Sequence, residues 1–445
     1  MSKPQKNVSR VSTRQTPSAH GDVGLRDEAA NPTYESIAGG WNEKTLGEVL
    51  TPQRGFDLPA QNRKPGKVPI VSSSGITDYH SEVGVAGPGV VTGRYGTIGQ
   101  VFLIKEDYWP LNTTLWVKDF HGNDPRFTSY LLRTVDFRSC SDKSSVPGVN
   151  RNDLHRIPVL LPPLPEQEAI AHILGTLDDK IELNRRMNAT LEAMARALFH
   201  SWFVDFAPVR AKLDGRKPAG LDGATAALFP AHFLNSEDGK LPVGWRYIAI
   251  EELCAINAWT LGKSDDLDTL EYVEISEVSR GNIANIATYQ RGEEPSRARR
   301  RLRYGDTVLS TVRPDRGSYF LALNPPENRV VSTGFAVLTP TKAPWAFIHA
   351  ALTQADFSEH LGQMADGGAY PAVRPEIIGA WKVAVPDQAG ILDAFQNICA
   401  PLFEQAEANR SQSRTLATLR DTLLPKLLSG KLRAPEALRE MKKAA

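Results

Sequence analysis

The side chains best suited to chemistry in this chain are arginines. Arg297, Arg299, Arg300, Arg301 and Arg303 fall within seven residues, and Arg313 and Arg316 follow in Val-Arg-Pro-Asp-Arg-Gly (312–317). A guanidinium neutralises phosphate and forks onto the O6/N7 edge of guanine. Such a cluster therefore suits a nucleic-acid surface. If the segment is extended, alternation places Arg297, Arg299, Arg301 and Arg303 on one face and Arg300 on the other. The first half of the chain is thinner in basic residues. It offers Lys64, Lys67, Arg94, Tyr95, Lys143 and Arg151, with Arg94 and Tyr95 in a glycine-flanked turn. A lone arginine is ordinarily a solvated surface charge, so the weight rests on the cluster and on that turn.

Other chemistries lack their parts. Asn324-Pro325-Pro326-Glu327 has the Asn-Pro-Pro of the amino-methyltransferase motif, but Glu327 stands where an aromatic must stack on a flipped base. Gly262-Lys263-Ser264 resembles the end of a phosphate-binding loop, yet Asn257 occupies the place of its first glycine. The nine histidines show no His-Glu-x-x-His spacing, and Cys140, Cys254 and Cys399 are too scattered for a zinc site or a disulfide framework. No carboxylates pair as an acid–base couple. The sequence therefore predicts no catalytic residue, no metal and no cofactor in this chain.

The elements that must position these arginines are repeated. Gly40-Trp41 with Leu46, Glu48 and Val49 matches Gly244-Trp245 with Ile250, Glu252 and Leu253. Pro147-x-Val149, leading to Ile157-x-Val159 and Pro162, matches Pro371-x-Val373, leading to Trp381-x-Val383 and Pro386. Between these anchors, β-rich runs at 90–92, 100–104, 308–312 and 329–332 and short helices near 126–138 and 345–360 predict mixed domains. Ile170, Leu177, Asn184, Leu191 and Leu198 recur every seven residues, and Phe395, Leu402, Asn409, Leu416 and Leu423 repeat them 225 residues later. A seven-residue apolar period makes a helix-pair seam. Asn184 and Asn409, at the same site of both copies, are candidates to fix its register. Thr176 and Pro401 share a register and predict a break, giving short helices at about 166–174 and 387–399, then longer ones. The first longer helix would run to about 203, roughly 42 Å, and Pro425 would end the second. An antiparallel pairing of the two is the simplest. The apolar ends, Leu198, Phe199, Trp202 and Phe203 with Leu423, Leu424, Leu427 and Leu428, suit a partner's dock.

The 445 residues are 41% hydrophobic and 23% charged with net charge +1, which fits a globular chain of two to four domains with local rather than global basic fields. No apolar run reaches the ~18 residues of a membrane span, and cysteine usage fits a reducing, cytoplasmic setting.

With these parts in order, the chain resembles the specificity subunits of type I restriction–modification systems over about 36–432. The resemblance is carried by Pro-Pro-Leu-Pro-Glu-Gln-Glu-Ala-Ile (162–170), Phe-Val-Asp-Phe-Ala-Pro-Val (203–209), Ala-Leu-Phe-Pro (227–230) and Gly-Lys-Leu-Pro-Val-Gly-Trp (239–245). Residues 300–317 and the closing Leu-Arg-Asp-Thr-Leu-Leu-Pro-Lys-Leu-Leu-Ser-Gly-Lys-Leu (419–432) add to it. It implies an α+β fold: two mixed α/β target-recognition domains separated by two long helices in an antiparallel coiled coil, with an internal pseudo-twofold repeat. The expected parts are a disordered tail (1–35), target-recognition domain 1 (36–161), a central helical region (162–204) and a linker (205–239). Target-recognition domain 2 (240–385), a C-terminal helical region (386–432) and a tail (433–445) follow. The expected partners are double-stranded DNA with a bipartite target, two modification (methyltransferase) subunits and restriction/translocase subunits, with no membrane. S-adenosylmethionine, ATP and Mg are expected in those partners. Two alternatives stand beside this reading: a specificity subunit serving a solitary methyltransferase without restriction, and a tandem-domain coiled-coil scaffold binding protein or carbohydrate.

Overall fold

The structure, a computed structural model, describes residues 40–140, 148–236, 239–262, 265–368 and 370–437. The expected tail at 1–35 lies outside them, as does Lys143. The chain falls into two units, Met1–Ile170 with Lys426–Ala445, and Ala171–Pro425.

In the first unit, β1 (Thr51–Arg54), β2 (Val68–Ser72), β3 (Gly75–His80), β4 (Gly89–Gly93), β5 (Val101–Ile104), β6 (Trp109–Pro110) and β7 (Thr114–Asp119) build two sheets. One is antiparallel with order β1-β7-β4-β5; the other, β3-β2-β6, holds the parallel pair β2–β6. Val71, Val91, Ile104, Tyr108 and Trp116 are buried together as its core.

The second unit repeats this plan with β8 (Cys254–Ile256), β9 (Thr269–Val273), β10 (Ala287–Gln290), β11 (Ala298–Arg301), β12 (Asp306–Ser310), β13 (Tyr319–Ala322), β14 (Arg329–Ser332) and β15 (Phe335–Pro340). Its antiparallel sheet runs β8-β15-β12-β13, and β10-β9-β14-β11 holds the parallel pair β9–β14. β4 and β12, each flanked by strands on both sides, are buried at all five positions. The longer second module accommodates an extra antiparallel strand, β11, beside β14.

The repeated Gly-Trp motif has a local cause. Gly40 and Gly244 hold φ of 86° and 75°, a left-handed turn that glycine adopts without strain. Each tryptophan is buried, and a short helix follows (Leu46–Val49, Ile250–Leu253). The motif's glutamates cap these helices: Glu48 accepts from the Thr45 N–H at 2.7 Å and Glu252 from the Ala249 N–H at 3.4 Å. The motif's apolar residues, Leu46, Val49, Ile250 and Leu253, are all buried.

Two long helices complete the fold: α1 (Leu164–Phe199), prolonged by one π-helical turn (His200–Val204), and α2 (Ala389–Leu428). They are antiparallel, since contacts descend along α2 as they climb α1. Asp178 meets Arg420 at 2.7 Å, Asn184 meets Gln412 at 2.9 Å, Asn188 meets Asn409 at 2.9 Å, and Asn188 reaches the Ala406 carbonyl at 3.0 Å. The expected breaks near 176 and 401 do not occur, and Pro425 does not end α2. Thr176 is no cap; its hydroxyl donates back to the His172 carbonyl at 2.8 Å inside the helix. Pro401 removes one backbone donor at a cost of about 3 kcal/mol. Phe395, Cys399 and Phe403, all buried, carry the packing across it. The helix expected at 345–360 is two, Trp345–Leu352 and Ala355–Gln363. Within 205–239, helices Ala207–Leu213 and Gly223–Leu228 form, and Phe206, Val209 and Phe229 enter the second unit's core. In the first unit, Arg433 makes a two-pronged pair with Glu166 at the start of α1. No helix among the described residues is long and apolar enough to cross a membrane.

Candidate nucleic-acid interface

In the first module, Arg94 and Tyr95 follow β4 directly, and both backbone N–H groups donate to the Thr113 carbonyl, at 2.9 and 3.3 Å. Gly96 and Gly99, with φ of 76° and 86°, turn the chain into β5. The Arg94 guanidinium lies over the Tyr95 ring, 4.6 Å from its centroid. Across the turn, Tyr95 bridges Gly148, and Val149 N–H donates to the Arg94 carbonyl at 3.0 Å. Arg151 is exposed nearby in sequence, at the start of a short helix (Arg151–Leu154) capped by Asn150.

In the second module, residues 311–318 join β12 to β13 at the same place in the same sheet. Arg313 holds φ 48° and ψ 57°, a left-handed conformation that few residues other than glycine adopt. Its N–H donates to the Pro371 carbonyl at 2.7 Å, Val312 bridges Ala372, and Val373 N–H donates to the Thr311 carbonyl at 2.9 Å. The Arg313 guanidinium lies over Tyr370, 4.5 Å from the ring centroid. Arg316 ends the 3-10 turn Pro314–Arg316 and is exposed.

The arginine cluster is arranged differently from its expectation. β11 carries a bulge between Ala298 and Arg300, which interrupts the alternation that would have aligned four guanidinium groups. Arg299 pairs with Glu294 at 3.6 Å, and Arg301 with Asp265 at 3.4 Å and Glu327 at 3.3 Å. Arg303 stacks on Trp259. Arg300 is half-buried, and burial lowers its pKa. Arg297 is exposed. In the first module Lys64 pairs with Glu82 at 2.9 Å, and Lys67 is exposed.

The apolar helix ends are also drawn inward. Phe199, Trp202 and Phe203 form an aromatic cluster with Phe347 and Phe395; the Phe203–Phe347 centroids are 4.9 Å apart and those of Phe203–Phe395 5.2 Å. Leu423, Leu427 and Leu428 are buried, while Leu198 and Leu424 are half-buried. Most of the residues expected to form a dock are thus covered within this chain, Leu198 and Leu424 being the part-exposed ones. The side chains that looked too apolar for a helix end serve this chain's own core.

Two titratable groups are buried in the second module, Asp306 at the start of the central strand β12 and His349 in the helix Trp345–Leu352. Burial pushes the Asp306 carboxyl up to about 6, against the pull of the Arg303 N–H that it accepts at 2.7 Å. Burial, reinforced by Arg410 and Arg196, holds His349 down to about 3. Among the described residues no group of histidines, cysteines and carboxylates is arranged to hold a metal ion. Asn324-Pro325-Pro326-Glu327 is a surface turn with Asn324 at φ 53°, and Glu327 serves as Arg301's partner. Gly262 N–H donates to Asp265 at 2.8 Å, and Lys263 and Ser264 lie outside the described residues.

Known proteins match this arrangement. Residues 38–193 match the type I restriction modification DNA specificity domain. The specificity subunit of the HindI type I restriction enzyme from Haemophilus influenzae is 25% identical over 360 residues, 68% of this chain and 74% of that one. The chain is similar to the specificity subunits of type I restriction enzymes. A second such specificity subunit, that of the MjaIX enzyme from Methanocaldococcus jannaschii, is 25% identical over 362 residues, 76% of each chain. The crystal structure of the S subunit from M. genitalium shares the fold, with a TM-score of 0.54 at 16% identity over 87% of this chain and 96% of that one. The sequence pattern did not single out Tyr370, whose ring lies under the Arg313 guanidinium. Its only signal was an aromatic just before the Pro-x-Val anchor.

Proposed function

We propose that this chain is a specificity subunit that reads a double-stranded DNA target in two parts, one for each variable module. In this reading it brings two modification subunits, and a restriction/translocase subunit where one is present, to that target. The chemistry belongs to the partners: S-adenosylmethionine for adenine methylation, ATP and Mg for translocation and cleavage. This chain contributes recognition and placement. The observation that carries the reading is the duplication itself. The same pair of sheets occurs twice in one chain, each with an arginine presented at the connection between the buried central strand and its edge neighbour.

The remaining candidates are graded by their surroundings. Arg94 and Arg313, placed at the connections after the central strands, and the exposed Arg151, Arg297 and Arg316 are the ones we assign to DNA, while Arg299 and Arg301 sit in ion pairs and Arg303 lies over Trp259 at the other end of β12. Mapping N6-methyladenine across the host genome, with and without this gene, tests the function. A split motif with a fixed gap that loses methylation on deletion is the expected result. An unchanged methylome in a strain expressing the chain and its methyltransferase partner would overturn it.

A further inference from the structure

We infer that each module carries one base-reading unit made of an arginine guanidinium held over a tyrosine ring, Arg94 over Tyr95 in the first and Arg313 over Tyr370 in the second. The inference rests on the DNA-reading function proposed above and adds to it a positioning residue, Tyr370, and an equivalence between the halves. The two units occupy the same place in the topology, between a fully buried central strand and the edge strand it pairs with. Each is clamped by the same anchor. Val149 N–H holds the Arg94 carbonyl at 3.0 Å in the first; in the second, Val373 N–H holds the Thr311 carbonyl at 2.9 Å, so the anchor aligns Arg94 with Thr311, and Arg313, a little further along its connection, is held by its own N–H bond to the Pro371 carbonyl at 2.7 Å. The stacking distances, 4.6 and 4.5 Å, agree. The tyrosines nevertheless come from different places: Tyr95 is Arg94's neighbour in sequence, whereas Tyr370 is delivered by the anchor segment. One arrangement reached by two routes argues for a shared task.

The second unit bears two further marks of function. Arg313 is held in a left-handed conformation by its own bond to Pro371, a strain that persists only where its surroundings enforce it. Tyr370 is 71% exposed, although its ring offers a large apolar face. A guanidinium stacked on a ring keeps its hydrogen-bonding edge in a fixed plane, which is the geometry needed for the O6/N7 edge of guanine. The ring limits the orientations that binding would otherwise have to freeze. The assigned ligand is therefore a guanine edge in each half of the target.

The test is the methylated motif read in cells that carry the chain with its methyltransferase partner. Arg313→Ala and Tyr370→Ala are expected to relax positions in one half of the motif only, and Arg94→Ala and Tyr95→Ala in the other half only. Discrimination at the affected base should fall by about ten- to a hundred-fold. Arg313→Lys keeps the charge but not the fork and should relax the same half as Arg313→Ala. Tyr370→Phe keeps the ring and should restore what Tyr370→Ala loses, which separates stacking from a folding defect. The equivalence is overturned if the alanine variants leave the motif unchanged, or if each relaxes both halves alike. A wild-type chain that yields no split motif overturns the DNA-reading function, and this unit with it.

Discussion

Gly148 shows how tightly a single position is drawn at the first tip. A Cβ there would lie 2.3 Å from Cε1 of Tyr95, a contact that the ring must leave its seat to relieve. Gly148→Ala is therefore expected to unseat Tyr95 and with it the Arg94 stack. Because Tyr95 is already 37% exposed, the cost to stability should be small, about 1 kcal/mol or less. The expected result is a relaxed first half of the methylated motif with a nearly unchanged melting temperature; an intact motif would show that the stack is not needed for reading. Asp306 makes a different kind of prediction. Its folded pKa, about 6, lies above the ordinary carboxylate value because burial penalises the charge. A raised pKa means that the folded state holds its proton longer, so stability is fullest below about pH 4 and falls as the pH rises through 6. Tenfold in proton affinity is worth ~1.4 kcal/mol, so the full loss is roughly 2–3 kcal/mol. Asp306→Asn should remove that slope and raise the melting temperature at pH 8 while changing it little at pH 4.5. A wild-type melting curve flat between pH 4.5 and 7 at this residue's expense, matched by Asp306→Asn, would refute the assignment. Neither residue could be singled out from sequence, because each depends on a neighbour brought by the fold: Tyr95 against Gly148, and the apolar surroundings of β12 around Asp306.

At the scale of elements, the helix pair was legible because its code is local. A seven-residue apolar period and a polar residue at matching sites state both the seam and its candidate pin, and Asn184 and Asn409 are both buried in the helix pair. Asn184 donates to the Asn409 carbonyl, Gln412 and Ser413 at 2.9–3.2 Å, and Asn409 donates to Asn188 Oδ1 at 2.9 Å. The breaks at Thr176 and Pro401 were misread for the converse reason. A local rule predicted them, and packing on both sides of each position overrides it. The network also makes the effect of substitution depend on how much of it is removed. Asn409→Leu alone leaves Asn188 Oδ1 buried without its donor and should cost about 1–3 kcal/mol. Replacing Asn184, Asn188 and Asn409 together by Leu removes the polar groups as a set and should recover most of that loss. We propose that the triple variant does so at the expense of register. Thermal melting gives the first comparison. Cysteine cross-linking between α1 and α2 gives the second, with one dominant cross-link expected in the wild type and several in the triple variant. A triple variant less stable than Asn409→Leu would sink the account.

For the molecule as a whole, net charge says little and the pairing of charges says much. A chain of net charge +1 can hold DNA only through local groups, and from sequence the arginines of 297–303 looked like the richest source. Arg301's acids were invisible there because they come from separate segments, Asp265 before β9 and Glu327 in the turn before β14, while Glu294, Arg299's partner, lies just ahead of β11 itself. Once paired, a guanidinium has much of its field cancelled and must break an ion pair before it can meet a phosphate. Phosphate contacts displace counterions, so each one adds about 0.9 to the slope of log affinity against log salt. Arg299→Gln and Arg301→Gln should leave that slope nearly unchanged and act instead on the melting temperature of the second module. Arg297→Gln and Arg316→Gln remove exposed charges and should each lower the slope by about 1 where they meet phosphate, with little thermal effect. The measurement is DNA binding by the complex with its methyltransferase partner over a salt series, for all four variants against the wild type. Equal slopes for Arg297→Gln, Arg316→Gln and wild type would move the phosphate contacts away from this edge of the second module. A slope that falls instead with Arg301→Gln would mean that its pairs with Asp265 and Glu327 open on DNA, and that the cluster binds by exchanging protein carboxylates for phosphates.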